Sequence, residues 1–156
     1  MVKDYMVKDI KEIAEEVLYK LDAYTPDALA LVMRTGYAES GYKVLKQYGG
    51  GPALGFWQVE PTTAYDTVNN YVSYRPKYEQ ALLELGCDFE NLEFSLLSNI
   101  AIQVAFCRLK YMRDPNPIPP ASNLSDQAKY WKRVYNTELG KGTVEHFIAM
   151  NENGIC

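Results

Sequence analysis

Residues 48–52 read Tyr-Gly-Gly-Gly-Pro, and a helix cannot continue through them. Three consecutive glycines have too much backbone freedom to lose, and proline removes an N–H and fixes φ. The interruption is wider than those five residues: from Lys43 to Glu60 the three- and four-residue spacing of apolar side chains fails. Its second half, Ala-Leu-Gly-Phe-Trp-Gln-Val-Glu, has the bulky, partly β-branched make-up of strand. A short β-hairpin turning at residues 49–52 is therefore expected between helices. The fold class that follows is mainly α, with a small β-hairpin beside the helix that ends just before it.

The flanking segments read as helix. Val7, Ile10, Ile13 or Ala14, Val17, Leu18 and Leu21 recur at helical spacing over residues 4–22. Thr25, Pro26 and Asp27 then supply an N-cap, a first-turn proline and a first-turn acid. That second helix is expected to end near Ser40 and Gly41, because glycine commonly closes a helix. Beyond Pro61, a short helix capped by Thr62 or Thr63 is expected, then one over residues 75–85 that stops at Gly86. Residues 91–114 predict one long central helix, with Leu96, Leu97, Ile100, Ala101, Val104, Ala105 and Leu109 on its apolar face. Residues 114–122 hold four prolines in nine and predict an extended loop. A helix over residues 125–135 and one capped by Thr143 complete the chain.

Composition narrows the function classes. The 156 residues suffice for one domain, residues 1–156, whose 47% hydrophobic share supports a core without covalent staples. A net charge of −4 argues against nucleic acid as a partner, since phosphate binding wants a positive surface. No apolar run has the length of a signal peptide or a membrane span, so no stable membrane insertion is expected. Cys87, Cys107 and Cys156 are odd in number and lack CxxC spacing, which predicts neither a disulfide framework nor a zinc site. Free thiols fit folding in a reducing cytoplasm. The lone histidine, His146, has no Asp or Cys at ligand spacing, so a structural role is expected, with no metal and no cofactor.

One acid stands out. Leu29, Val32, Gly36 and Glu39 fall three, four and three residues apart, on one stripe of the second helix. Glu39 thus points along the buried side at the helix C-terminus. Apolar surroundings and the negative end of the helix dipole both favour its protonated form. A glutamic acid protonated near neutrality is what glycosidic bond cleavage uses as proton donor. The competing reading is a Glu that bonds a backbone N–H or pairs with Arg34 or Lys43.

Residues 38–42, Ala-Glu-Ser-Gly-Tyr, followed after the glycines by residues 53–64, Ala-Leu-Gly-Phe-Trp-Gln-Val-Glu-Pro-Thr-Thr-Ala, resemble the lysozyme-like superfamily. The likeness is to soluble lytic transglycosylases and goose-type lysozymes. It implies that Glu39 is the catalytic acid with Ser40 beside it, and that Gly55 and Gln58 line a sugar cleft. Pro61, Thr63 and Ala64 follow in the family's order. Residues 98–112 look like the family's Asn-Ile helix, and residues 130–147 like its Tyr-Asn region. There Tyr135 would orient Glu39, and Asn136, like Gln58, would bond sugar or N-acetyl groups. The resemblance covers residues 26–147. It implies a lysozyme-like single domain, with residues 1–24 as an N-terminal helix and 25–156 as the catalytic core.

Two departures alter the expected cleft. The family's Gly-Leu-Met-Gln is Gly-Phe-Trp-Gln here, so Phe56 and Trp57 would change the cleft wall, Trp57 being either a sugar-stacking surface or core. Thr-Glu-Leu also precedes Gly140, where the family has glycine sooner. The wording is similar to small bacteriophage muralytic proteins. That likeness implies synthesis in a host cytoplasm and action on the cell wall, after holin release or from a virion. The implied partners are a peptidoglycan glycan strand and other virion proteins.

Between Glu39 and Gln58 there is no Asp or Glu; Glu60 and Asp66 come next, and alternation would put Glu60 on the strand face of Gln58. A one-acid site favours lytic transglycosylase chemistry, in which the muramic 6-hydroxyl closes onto C1. The alternatives are a hydrolytic muramidase, a non-catalytic phage structural protein, and a sugar-binding module built on Trp57, Trp131 and tyrosines.

Overall fold

The computed structural model describes residues 4–153, so the reading of Cys156 falls outside the described residues. Helix α1 spans Tyr5–Lys20 and starts where the Asp4 carboxylate accepts from the Val7 N–H at 3.1 Å. Its buried stripe is Val7, Ile10, Ala14, Val17 and Leu18, with Ile13 turned outward. Helix α2, Pro26–Ser40, opens with Thr25 Oγ1 accepting from Ala28 N–H at 3.0 Å. It closes at Gly41, whose φ of 62° is the left-handed conformation glycine adopts without steric cost. Both ends of α2 are those expected.

Helices α3 (Pro61–Asn70), α4 (Pro76–Glu84), α5 (Leu92–Ser98) and α6 (Ile100–Met112) follow. The chain ends with α7 (Leu124–Tyr130), a π-helical segment over Trp131–Asn136, and α8 (Val144–Asn151). Helix α2 packs between α1 and α8, and α6 lies against α1, α2 and the π-helical segment. No single helix among the described residues is long and apolar enough to cross a membrane.

The expected hairpin does not form. Among the described residues there is no strand, only isolated antiparallel bridges between Lys46 and Leu54 and between Leu54 and Val59. A pleated strand sends adjacent side chains to opposite faces, yet Phe56 and Trp57 are both buried here. Left-handed φ values at Gly55 (78°) and Gln58 (51°) bend the backbone so that both rings enter the core. Polar anchors hold the coil: Trp57 Nε1 donates to Val32 O at 2.8 Å, and Gln103 Oε1 accepts from Phe56 N–H at 3.0 Å.

The expected long central helix is also two helices. It breaks at Asn99, and α5 and α6 lie at 110° to each other. Asn99 Oδ1 accepts from Ile102 N–H at 3.1 Å and caps α6, while Nδ2 donates to Leu85 O at 2.9 Å beyond the end of α4. One side chain therefore starts α6 and ties that start to the end of α4. Smaller differences follow the same logic. Neither Thr62 nor Thr63 caps α3; Pro61 is its first residue and Glu60 precedes it without a side-chain bond. The helix expected over residues 125–135 starts at Leu124, capped by Asn123, and widens to π geometry from Trp131.

The proline segment is an extended loop, as expected, and it is tied to α2. Asp27 Oδ1 accepts from Ala121 N–H at 2.8 Å; Arg34 Nη1 donates to Ala121 O and to Gln127 Oε1, each at 2.8 Å. Arg34 is thereby committed to the loop.

Candidate active-site groove

The last turn of α2 brings Glu39 to the edge of the core, and the coil of residues 42–60 is anchored around it. Ser40 Oγ donates to Phe56 O at 2.6 Å and accepts from Tyr42 N–H at 3.1 Å, fastening the coil to the helix end. Tyr42 folds back along α2, its hydroxyl donating to Met33 O at 2.7 Å. A Cβ on Gly36 would collide with the Tyr42 ring, so the glycine in the stripe above Glu39 serves close packing. A groove of about 820 Å³ opens over this junction, walled by Glu39, Gln58, Glu60, Lys110, Trp131, Tyr135 and Asn136, with residues 137, 139–142 and His146 along its rim.

Trp131 Nε1 donates to Glu39 Oε2 at 3.0 Å, and Glu39 makes no ion pair among the described residues. Neither Arg34 nor Lys43 pairs with it. Burial pushes the Glu39 carboxyl up to about 7, against the opposing pull of the Trp131 bond and the Lys110 charge. Protonated and ionised forms are thus both accessible near neutrality, which general acid–base exchange requires.

The residues expected at the site divide into those that face the groove and those that support it. Gln58 lines the groove, its side-chain amide donating to Gly55 O at 2.9 Å. Glu60 is exposed in the same wall. Asn136 lines it too, with Oδ1 accepting from Lys132 Nζ at 2.8 Å. Ser40 and Gly55 act behind the wall: a Cβ on Gly55 would run into the Gln103 side chain and the Leu96 carbonyl. Phe56 and Trp57 are not cleft-wall residues. Trp57 is fully buried and Phe56 nearly so, which removes Trp57 as a stacking surface. Trp131 is 1% exposed, so neither tryptophan offers an open ring face.

Tyr135 does not bond Glu39. Its hydroxyl donates to Trp57 O at 2.6 Å, and its ring stacks on Tyr111 with centroids 5.3 Å apart. Orientation of the acid falls to Trp131, four residues earlier. His146 is exposed on the rim, with Nε2 2.8 Å from Ala38 O, a contact that joins α8 to the end of α2. Among the described residues no three His, Cys, Asp or Glu side chains gather as metal ligands would.

Lys110 escaped the sequence reading, and Trp131 was expected only as a sugar-binding surface, not as the partner of Glu39. Lys110 continues the three- and four-residue stripe Gln103, Cys107, Lys110 on α6, and Gln103 and Cys107 are buried. A lysine on a buried stripe is the signal that would have marked it. Its Nζ donates to Tyr135 O at 2.7 Å and lies 4.4 Å from the Tyr135 ring centroid.

Fold and site together define a helical protein with an acid-centred groove. No family model, curated protein or solved structure matches the chain.

Proposed function

We propose that this protein cleaves the glycan strand of peptidoglycan at the β-1,4 bond between muramic acid and glucosamine, by lytic transglycosylase chemistry, with Glu39 as sole acid and base. One observation carries the reading: a carboxyl group shifted to about 7, held at one oxygen by an indole N–H, lines a groove of about 820 Å³. The residues that resemble lytic transglycosylases support it, because Glu39, Gln58 and Asn136 all line that groove.

Protonated Glu39 gives its proton to the glycosidic oxygen as the C1–O bond breaks. The resulting carboxylate then takes the proton of the sugar's own 6-hydroxyl while O6 bonds to C1. A 1,6-anhydro sugar leaves, Glu39 is protonated again, and no water is consumed. Gln58 and Asn136 offer amides to the sugar substituents. A bacteriophage setting, either lysis or local wall opening by a virion, is the biological role proposed with this chemistry.

The position of Glu60 in the same groove favours a second reading, hydrolysis, in which Glu60 would activate a water on the far face of the ring. Mass spectrometry of digested peptidoglycan separates the two. Anhydro-muramic ends are expected; fragments heavier by one water would replace the transglycosylase reading with a muramidase. Absence of any cleavage, with the protein folded, would leave a non-catalytic phage protein.

A further inference from the structure

Lys110 is a cation in the groove wall. It comes from the last turn of α6, partly buried, and none of the described carboxylates forms an ion pair with it. Its known partners are the Tyr135 carbonyl and the Tyr135 ring. An ammonium carries three donors, so this contact with one carbonyl leaves it anchored and still charged toward the groove. It lines the same groove as Glu39.

We propose that Lys110 is a positioning residue for Glu39: its ammonium, pinned by Tyr135 in the groove wall, sets the pH at which the acid releases its proton. The catalytic meaning of this rests on the proposed cleavage reaction, but the electrostatic relation does not. The two groups act on each other in the expected directions. Lys110 draws the Glu39 carboxyl down from the value burial alone would impose; burial lowers the Lys110 ammonium below its ordinary value, and the Glu39 charge opposes that lowering. Without the cation, Glu39 would hold its proton more firmly and be a weaker acid in the first half of the cycle.

The surroundings of Glu39 leave Lys110 as the cation that acts on it. On α6 one further titratable neighbour is Cys107, whose burial keeps it a neutral thiol. The π-helical segment presents Trp131 and Tyr135, both uncharged, and the Tyr135 phenol is pushed well above its ordinary value by burial. Tyr111 on α6 is shifted the same way. Lys132 is turned to Asn136 Oδ1 and Gly140 O. Lys141 and His146 stand on the rim, and Glu60 stands in the wall with a charge opposite to that of Lys110.

The chain contains a reporter for this titration that needs no substrate. Its two tryptophans give two indole N–H signals in a ¹⁵N-labelled protein. That of Trp131, bonded to Glu39 Oε2, moves with the protonation of the carboxyl; that of Trp57, bonded to Val32 O in the core, reports only on folding. In wild type the Trp131 signal is expected to titrate near neutrality and to lose that titration in Glu39→Gln. In Lys110→Gln, which can still donate to Tyr135 O but carries no charge, the midpoint is expected to rise by about one pH unit. Lys110→Arg should hold it near the wild-type value, and His146→Gln should leave it in place. An unmoved midpoint in Lys110→Gln, with the Trp57 signal native, would overturn the proposal, as would a shift in His146→Gln of equal size. If Lys110→Gln fails to fold, N-acetyl-lysine at position 110 removes the charge and keeps the stem, with the same expected and overturning results. A titration that behaves as expected in a protein without activity on peptidoglycan would sink the proposed function and leave this inference standing.

Discussion

The indole nitrogen of Trp131 lies 3.0 Å from Glu39 Oε2 and donates to it, joining the π-helical segment after α7 to the last turn of α2 across 92 residues of chain. Because the indole N–H stabilises the ionised carboxylate, removing it should make the acid weaker. Trp131→Phe keeps an aromatic ring against Phe147 and loses the donor. The alkaline limb of the cleavage rate is expected to move up by about one pH unit, read from kcat/KM between pH 5 and about 9.

Glu39→Gln removes the proton and keeps the shape. Turnover on purified peptidoglycan is expected to fall by about 10²–10⁴-fold. The circular-dichroism spectrum should be unchanged, because the Gln amide oxygen can still accept from Trp131. Activity within tenfold of wild type would remove Glu39 from its role.

The same substitution carries a stability signature. The folded carboxyl titrates at about 7 against an ordinary 4.5, so the folded state holds its proton more tightly than the unfolded chain. Stability linked to Glu39 is therefore full below about 4.5, declines as pH rises toward 7, and is flat above. The difference amounts to roughly 3 kcal/mol at most. Urea melts of wild type and Glu39→Gln at matched pH should diverge over that window in favour of the variant as pH rises.

Gly55 holds φ at 78°, where its missing Cβ leaves room for Gln103 and the Leu96 carbonyl. Gly55→Ala is expected to cost roughly 2 kcal/mol. It should also loosen the coil that seats Phe56 and Trp57. A lowered urea midpoint with unchanged slope, together with exposure of Trp57 fluorescence, is the expected result.

Asn99→Ala removes the α6 cap and the bond to Leu85 O in one step. A loss of about 1–2 kcal/mol is expected from the cap. Native-state hydrogen exchange should localise it to the first turn of α6 and the end of α4.

What was readable in the chain was local. Thr25, Pro26 and Gly41 set both ends of α2 by capping and backbone geometry, which involve neighbours within five residues. The Leu29, Val32, Gly36, Glu39 stripe needed only helical periodicity to aim the acid inward. The break at residues 48–52 was readable because glycine and proline act through their own backbones. Even the burial behind the raised Glu39 titration was foreshadowed by the residues one turn above it.

The misreadings share a cause. Asn99 in an apolar run is consistent with a continuous helix until Leu85 O is brought near enough to bond it. Phe56 and Trp57 have strand-like composition, and only the pocket between α2 and α6 makes burying both adjacent rings more favourable than alternating them. Tyr135 and Trp131 sit one turn apart, and the wider π-helical winding, with packing on Tyr111 and Phe147, decided which of them reaches Glu39. Sequence alone thus determined both ends of α2 and which acid points inward, since those follow from short-range sterics and period. Tertiary structure decided the helix angle, the partner of the acid and the cation beside it. Those depend on contacts between residues 14 to 92 positions apart, for which no local signal exists.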